Sequence, residues 1–97
     1  MIRSFGSDGT RDVFAGQNSK AARRTCPRTL WAAARRKLDQ LNQAHVLEDV
    51  RVPPANRLEK LKGDRRGQHA IRINDQYRVC FRWSDQGPED VEIVDYH

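Results

Sequence analysis

The last three residues, Asp95, Tyr96 and His97, put a carboxylate, a phenol and an imidazole in succession at the end of the stretch VEIVDYH. An imidazole titrates near neutral pH and serves as acid or base, while a carboxylate can take a proton or orient the imidazole. The phenol can donate a proton or stack on a nucleobase. Chain ends fray unless tied down, and Val91, Ile93 and Val94 supply a sheet anchor directly before these groups. Upstream, Arg72 and Arg78 lie on neighbouring strand-like stretches, and arginine matches phosphate oxygens bidentately. The combined chemistry suits cleavage of RNA through its own 2′-hydroxyl. That reaction needs a base at the hydroxyl, cations around the phosphorane, and an acid or cation at the leaving oxygen. Arg72 and Arg78, with Lys62, supply the charge.

Such groups meet only if the strands align them. In QYRVCFRW the apolar Tyr77, Val79, Phe81 and Trp83 alternate with Arg78, Cys80 and Arg82, and in HAIRIN Ile71 and Ile73 flank Arg72. A two-residue loop would put Ile73 opposite Arg78, against the matching of faces. A three-residue loop, Asn74 to Gln76, pairs Ile73 with Tyr77 and Ile71 with Val79, and sets Arg72 across from Arg78. Facing like charges repel, and an anion between them reverses the sign. For the final strand, hydrophobic matching pairs Trp83 with Val91 and Phe81 with Ile93. Arg82 then meets Glu92, and Arg78 meets Tyr96, giving a row of Arg72, Arg78 and Tyr96. A shift of two residues keeps the faces and breaks the row. Strict alternation sends Asp95 and His97 to the face opposite Tyr96, so all three share a site only if the strand twists out near Val94. Two readings of the arginines stand: side chains extended into water, or a grip on phosphate.

The remaining chain supplies the scaffold. Residues SDGTRDVFAG read as a brief helix stopped by Gly16, and IRSF before it as a short strand. The basic connection QNSKAARRTCP has no clear period and room for a helical turn. From Pro27, Leu30, Ala34, Leu38 and Leu41 form a helical stripe with Trp31 beside it. Pro53 and Pro54 mark the crossover. A strand is expected around Arg57 to Leu61, although Leu58 and Leu61 have opposite parity, and Gly63 and Gly67 bound a turn. Ninety-seven residues support one domain, 1–97, with one modest core. No run reaches the length of a spanning helix and no signal peptide is visible, so a cytoplasmic protein without membrane contact is expected. Cys26 and Cys80 read as free thiols, and the three histidines lack the spacing of metal ligands. A net charge of +5 favours anionic partners, as against a solvated surface or one masked by an acidic protein.

The segment NRLEKLKGDRRGQHAIRINDQYRVCFRW followed by DVEIVDYH resembles the HigB branch of the RelE/ParE toxin superfamily. The resemblance extends to the opening MIRSF, the LEDVRVPP crossover and the basic helix. It implies an α+β, RelE-like fold with two N-terminal helices packed on a small antiparallel sheet. It also implies a ribosome-dependent mRNA endonuclease without metal or cofactor, neutralised by a HigA-like helix-turn-helix antitoxin, with operator DNA contacted only through the antitoxin complex. Catalytic roles then fall on Asp95, Tyr96, His97 and Arg78, and RNA contacts, as weaker transfers, on Lys62 and Arg72. Some HigB members carry a histidine on the strand before LKG. Here Glu59 and Lys60 stand there, so either Glu59 replaces that base or activity is feeble. Arg35, Arg36 and Lys37 of the basic helix would face ribosomal RNA or the antitoxin, or simply solvent. The superfamily also contains ParE-type gyrase inhibitors, and a weakly active toxin serving in operon autoregulation is a third possibility. The terminal DYH and the paired arginines favour the nuclease.

Overall fold

The computed structural model describes residues 1–96. Three helices, α1 (Asp8–Ala15), α2 (Lys20–Thr25) and α3 (Trp31–Gln43), precede four strands, β1 (Glu59–Lys60), β2 (His69–Arg72), β3 (Tyr77–Ser84) and β4 (Gly87–Asp95). The strands form one antiparallel sheet in the order β1-β2-β3-β4. Helices α1 and α3 pack on β4, and α3 also on β3, while none of the three α-helices of the described residues covers the opposite sheet face. The expected α+β arrangement is thus present. The basic connection before Pro27 contributes the additional short helix α2.

Helices α1 and α2 each start where the sequence offers a cap. The Ser7 hydroxyl accepts the Thr10 N–H at 3.2 Å, and Ser19 accepts the Ala22 N–H at 3.0 Å, satisfying orphan donors of the first turns. Ser19 also donates to Asp12 at 2.6 Å, tying α2 to α1. Gly16 ends α1 in the left-handed region, φ 76°. Where α1 meets α2, a β-carbon on Gly9 would lie 1.8 Å from Thr25 Oγ1 and 2.5 Å from the Ala21 carbonyl oxygen. The helices approach this closely because residue 9 has no side chain. Gly9→Ala is therefore expected to destabilise the fold by about 1–3 kcal/mol through overpacking, read as a lower urea midpoint at unchanged m-value.

The main core joins Val13, Leu38, Leu41 and Val50 to Ile71, Val79, Phe81, Val91 and Ile93. Thr10 is buried, and its hydroxyl accepts the Ile93 N–H at 2.9 Å, so the one polar side chain on this face of α1 is satisfied by the sheet. The opposed parity of Leu58 and Leu61 has a simple origin: Leu58 packs on this core, whereas Leu61 joins Ala70, Cys80 and Val94 on the other face. Cys26 and Cys80, both buried free thiols, likewise belong to separate clusters.

Three expectations change in detail. The opening strand reduces to a parallel bridge between Phe5 and Val91, framed by Arg3 N–H to Pro88 O at 2.8 Å and Gly6 N–H to Val91 O at 2.8 Å. It still covers the outer edge of β4, where unpaired peptide groups would otherwise be exposed. Strand β1 shortens to two residues, because Arg57 leaves the ladder in the left-handed region, φ 49° and ψ 53°. The β3–β4 register also differs from the one hydrophobic matching selects, by three residues on the turn side and by two beyond the bulge. A tight turn pairs Ser84 with Gly87 and Trp83 with Pro88, and a bulge then sets Cys80 opposite Glu92, Val79 opposite Ile93 and Arg78 opposite Val94. The bulge places an extra residue on β4, where Asp90 adopts φ 53°. Arg82 consequently pairs with Asp90 at 3.6 Å, and Glu92 pairs with Arg65 at 3.7 Å.

Candidate functional site

The face of the sheet away from the helices carries two cross-strand rows. One runs Glu59, Ala70, Cys80, Glu92, and the other Arg72, Arg78, Val94. The three-residue loop expected between β2 and β3 forms, with the Ile73 N–H donating to Tyr77 O at 3.0 Å, so Arg72 and Arg78 face each other directly. Their mutual repulsion is eased by turning aside. Arg78 donates to Asn74 O at 2.5 Å and Tyr77 O at 3.2 Å, and Arg72 pairs with the exposed Asp75. Ala70 and Cys80 of the first row form an apolar floor with Leu61, flanked by Val94 of the second. Burial pushes the Cys80 thiol up, with Arg65 beside it acting in the opposite sense, so this cysteine is a packed hydrophobe and not a thiolate nucleophile.

The register shift removes the direct pairing of Arg78 with Tyr96 and leaves a diagonal one, since Tyr96 lies two residues beyond Val94. Diagonal positions are roughly 7–8 Å apart, within reach of long side chains. The Arg78 guanidinium sits over the Tyr96 ring, 5.6 Å from its centre. The Tyr96 N–H continues the ladder past β4 by donating to Gln76 O at 2.6 Å, so the phenol projects from a fixed backbone and is 37% exposed. Asp95 opposes Tyr77 on the helix-side face, where Gln76 Nε2 donates to both of its carboxylate oxygens at 3.2 Å. Alternation thus separates Asp95 from Tyr96, as the sequence pattern requires. His97 lies outside the described residues.

The other sequence-derived candidates divide. Glu59 belongs to the open face, in the same cross-strand row as Cys80 and one diagonal step from Arg72. Lys62 is exposed on a shallow groove of about 450 Å³ with Lys60, Leu61, Gly63 and Arg66. Arg35 and Arg36 stand apart, lining a groove of about 420 Å³ on the helix layer with Phe14, Ala32 and Asp39. Lys37 turns instead toward the crossover, donating to Asn56 Oδ1 at 2.5 Å. Arg65 and Glu92 were not among the candidates, yet their ion pair borders the floor. The Arg65 contact depends on how the 63–67 turn folds back over the sheet, for which the sequence carries no periodic signal.

His69 is also part of β2 but belongs to the helix-side face, stacked on Phe81 with ring centres 6.0 Å apart. Its Nδ1 is buried without a hydrogen-bond partner. Burial, and secondarily the charge of Lys60, push its pKa down. A histidine whose folded pKa is depressed contributes stability that is complete above its unfolded pKa, about 6.5, and is lost as pH falls from there through the folded value. His69→Phe should therefore lose less stability than the parent between about pH 7 and 5, measured by urea melts across that range.

With this geometry in place, the relatives become informative. The sequence matches the family described as RelE-like toxin of type II toxin-antitoxin system HigB over residues 4–97. The chain belongs to the HigB-like toxin family. Among curated relatives, Toxin HigB-1 of Vibrio cholerae is 44% identical over 62 residues, 64% of this chain and 65% of that protein. An uncharacterized protein of Haemophilus influenzae is 36% identical over 59 residues, 61% of this chain and 58% of its own length. The matched segment thus spans less than two thirds of either relative. The fold resembles the YoeB-YefM complex from Staphylococcus aureus with a TM-score of 0.61 at 14% identity, covering 100% of this chain and 98% of that one. Membership in the HigB-like family agrees with a RelE-like architecture of helices on a four-stranded antiparallel sheet. No helix among the described residues is long and apolar enough to cross a membrane.

Proposed function

We propose that this HigB-like toxin is an endoribonuclease that cleaves translated mRNA on the ribosome without a metal ion and so arrests growth. The observation that carries the reading is the pairing of Arg72 with Arg78 on the sheet face free of helices, with Tyr96 held under the Arg78 guanidinium. Two arginines at directly opposed positions on an accessible face repel when alone, which is why each turns aside to its own acceptor, and they become favourable neighbours around a phosphodiester.

In the proposed reaction Glu59 takes the proton of the ribose 2′-hydroxyl, and the 2′-oxygen attacks the adjacent phosphorus. Arg72 and Arg78 neutralise the charge that develops on the non-bridging oxygens, with Lys62 guiding the strand. The bond to the 5′-oxygen breaks as His97 returns a proton to it, leaving a 2′,3′-cyclic phosphate and a 5′-hydroxyl. Tyr96 stacks on a base beside the cleaved bond. Asp95, held by Gln76, orients the chain end. Arg35 and Arg36 lie on another surface, suited to ribosomal RNA or to an antitoxin. A HigA-like helix-turn-helix antitoxin is the proposed neutralising partner, and operator DNA is reached through that complex.

Primer extension on messages from cells expressing the protein without antitoxin tests the reading. Cuts within translated regions that vanish when initiation is blocked are expected. Intact messages together with inhibited supercoiling by purified gyrase would replace the nuclease with a gyrase inhibitor. Intact messages and normal growth would leave only an autoregulatory role.

A further inference from the structure

We propose that Lys37, Arg57 and Arg72 form a second phosphate subsite, which takes the backbone phosphate of the nucleotide flanking the cleaved bond. The inference rests on the nuclease reading and adds to it a residue, Arg57, that neither the residue pattern nor the family resemblance singles out.

Its origin is the shortness of β1. In the antiparallel ladder Ala70 and Arg72 both turn their peptide groups toward the β1 side, because the intervening Ile71 and the next residue, Ile73, are directed to β3. Ala70 meets Glu59 there. At Arg72 the strand has already ended, since Arg57 sits in the left-handed region and Pro54–Asn56 forms a helical turn. The edge opens into a cleft of about 370 Å³ lined by Lys37, Ala55, Arg57, Arg72, Ile73 and Asn74. Three of those six side chains are cationic and none is a carboxylate. The acid paired with Arg72 is Asp75, almost fully exposed on the turn, a partner that a phosphate can replace.

The cleft is built and not incidental. Asn56 is fully buried. Its Nδ2 donates to Gln40 Oε1 at 3.0 Å and Val50 O at 3.1 Å, and its Oδ1 accepts from Lys37. These bonds clamp the crossover to α3 and hold Arg57 in a backbone conformation that a β-carbon disfavours. Such outliers persist where surrounding contacts over-determine them. Burial, and then the neighbouring Arg36, lower the pKa of Lys37, so a bound anion would relieve charge that the fold leaves crowded. Arg72 is common to the cleft and to the open face, one strand spacing of about 4.8 Å from Arg78. A single RNA strand crossing Arg78 and Arg72 therefore arrives at Arg57.

Arg57→Gly removes the guanidinium while easing the backbone, so the fold should survive, with an undiminished thermal midpoint as the check. The probe is a fluorescent 2′-O-methyl RNA hexamer, titrated by anisotropy at several salt concentrations. Arg57→Gly is expected to weaken binding roughly tenfold, as for a lost charge-assisted hydrogen bond. The slope of log affinity against log salt should fall by about 0.7, the value for one phosphate contact on a single strand. The same charge loss on α2, Arg24→Ala, should change neither. An unchanged slope and affinity in Arg57→Gly, with parent protein that binds the probe and cleaves messages, overturns the subsite and leaves the nuclease reading standing. Failure of the parent to bind or cleave removes both. A change confined to antitoxin affinity assigns the cleft to a protein partner and also overturns the proposal.

Discussion

Arg78→Ala is expected to slow cleavage of ribosome-bound message by about 10² to 10³-fold under single-turnover conditions, the cost of removing one preorganised charge donor from a developing anion. Arg78 faces Arg72 across the hairpin and covers the Tyr96 ring at 5.6 Å, so its loss removes half of the proposed phosphate grip and the upper contact of the phenol together. Arg78→Lys keeps the charge but not the planar fork, and should recover only part of the rate. Because Arg78 also donates to Asn74 O and Tyr77 O, the variant's melting curve must be recorded alongside. A structural defect would lower the melting temperature of both variants, whereas lost phosphate binding separates Lys from Ala at similar stability.

The largest effect on stability is expected at Phe81. It is the largest fully buried side chain, and it touches both His69, at 6.0 Å between ring centres, and Trp83, at 6.5 Å in an edge-on arrangement. Phe81→Ala should cost about 3–5 kcal/mol from lost burial and the cavity left behind. In a domain of this size each kcal/mol shifts the midpoint by roughly 4–8 °C, so a fall of more than about 12 °C is expected by differential scanning calorimetry. Phe81→Leu, which fills most of the volume, should lose much less. A fall of only a few degrees for the alanine variant would mean that the helices, and not the sheet, carry the core.

How far the site could be read from the sequence depended on where backbone regularity held. The β2–β3 hairpin was legible because two alternating apolar pairs, Ile73 with Tyr77 and Ile71 with Val79, and a short loop admit one face-matched register, and Arg72 opposite Arg78 follows from it. The separation of Asp95 from Tyr96 was legible for the same reason. The β4 register was not, because the residue that sets it, Asp90, is a non-glycine in the left-handed region, and a bulge of that kind leaves no alternation to read. Hydrophobic matching preferred Trp83 against Val91, while the fold closes a tighter turn and buries Pro88 opposite Trp83. The Arg78–Tyr96 contact persists because a diagonal across the sheet remains within side-chain reach. The basic cleft was hidden for a related reason: Arg57 leaves the strand through an uncommon φ, and the buried Asn56 that fixes it reads in sequence as an ordinary turn residue. The helix α3 was readable from its stripe, although its three cations diverge. Lys37 points to the crossover and Arg35 and Arg36 to the outer groove.

On the proposed mechanism the scissile phosphate lies on the open sheet face and not on the helix layer. Single-turnover cleavage of a defined message on programmed ribosomes compares the two surfaces directly, using the double variant Arg72→Ala/Arg78→Ala against Arg35→Ala/Arg36→Ala, which lose equal charge. The sheet pair is expected to lose at least about 10²-fold in the rate at saturating protein, while the helix pair alters chiefly the concentration needed for half saturation. Equal rates for the sheet pair and the parent protein, or a rate defect confined to the helix pair, would contradict it.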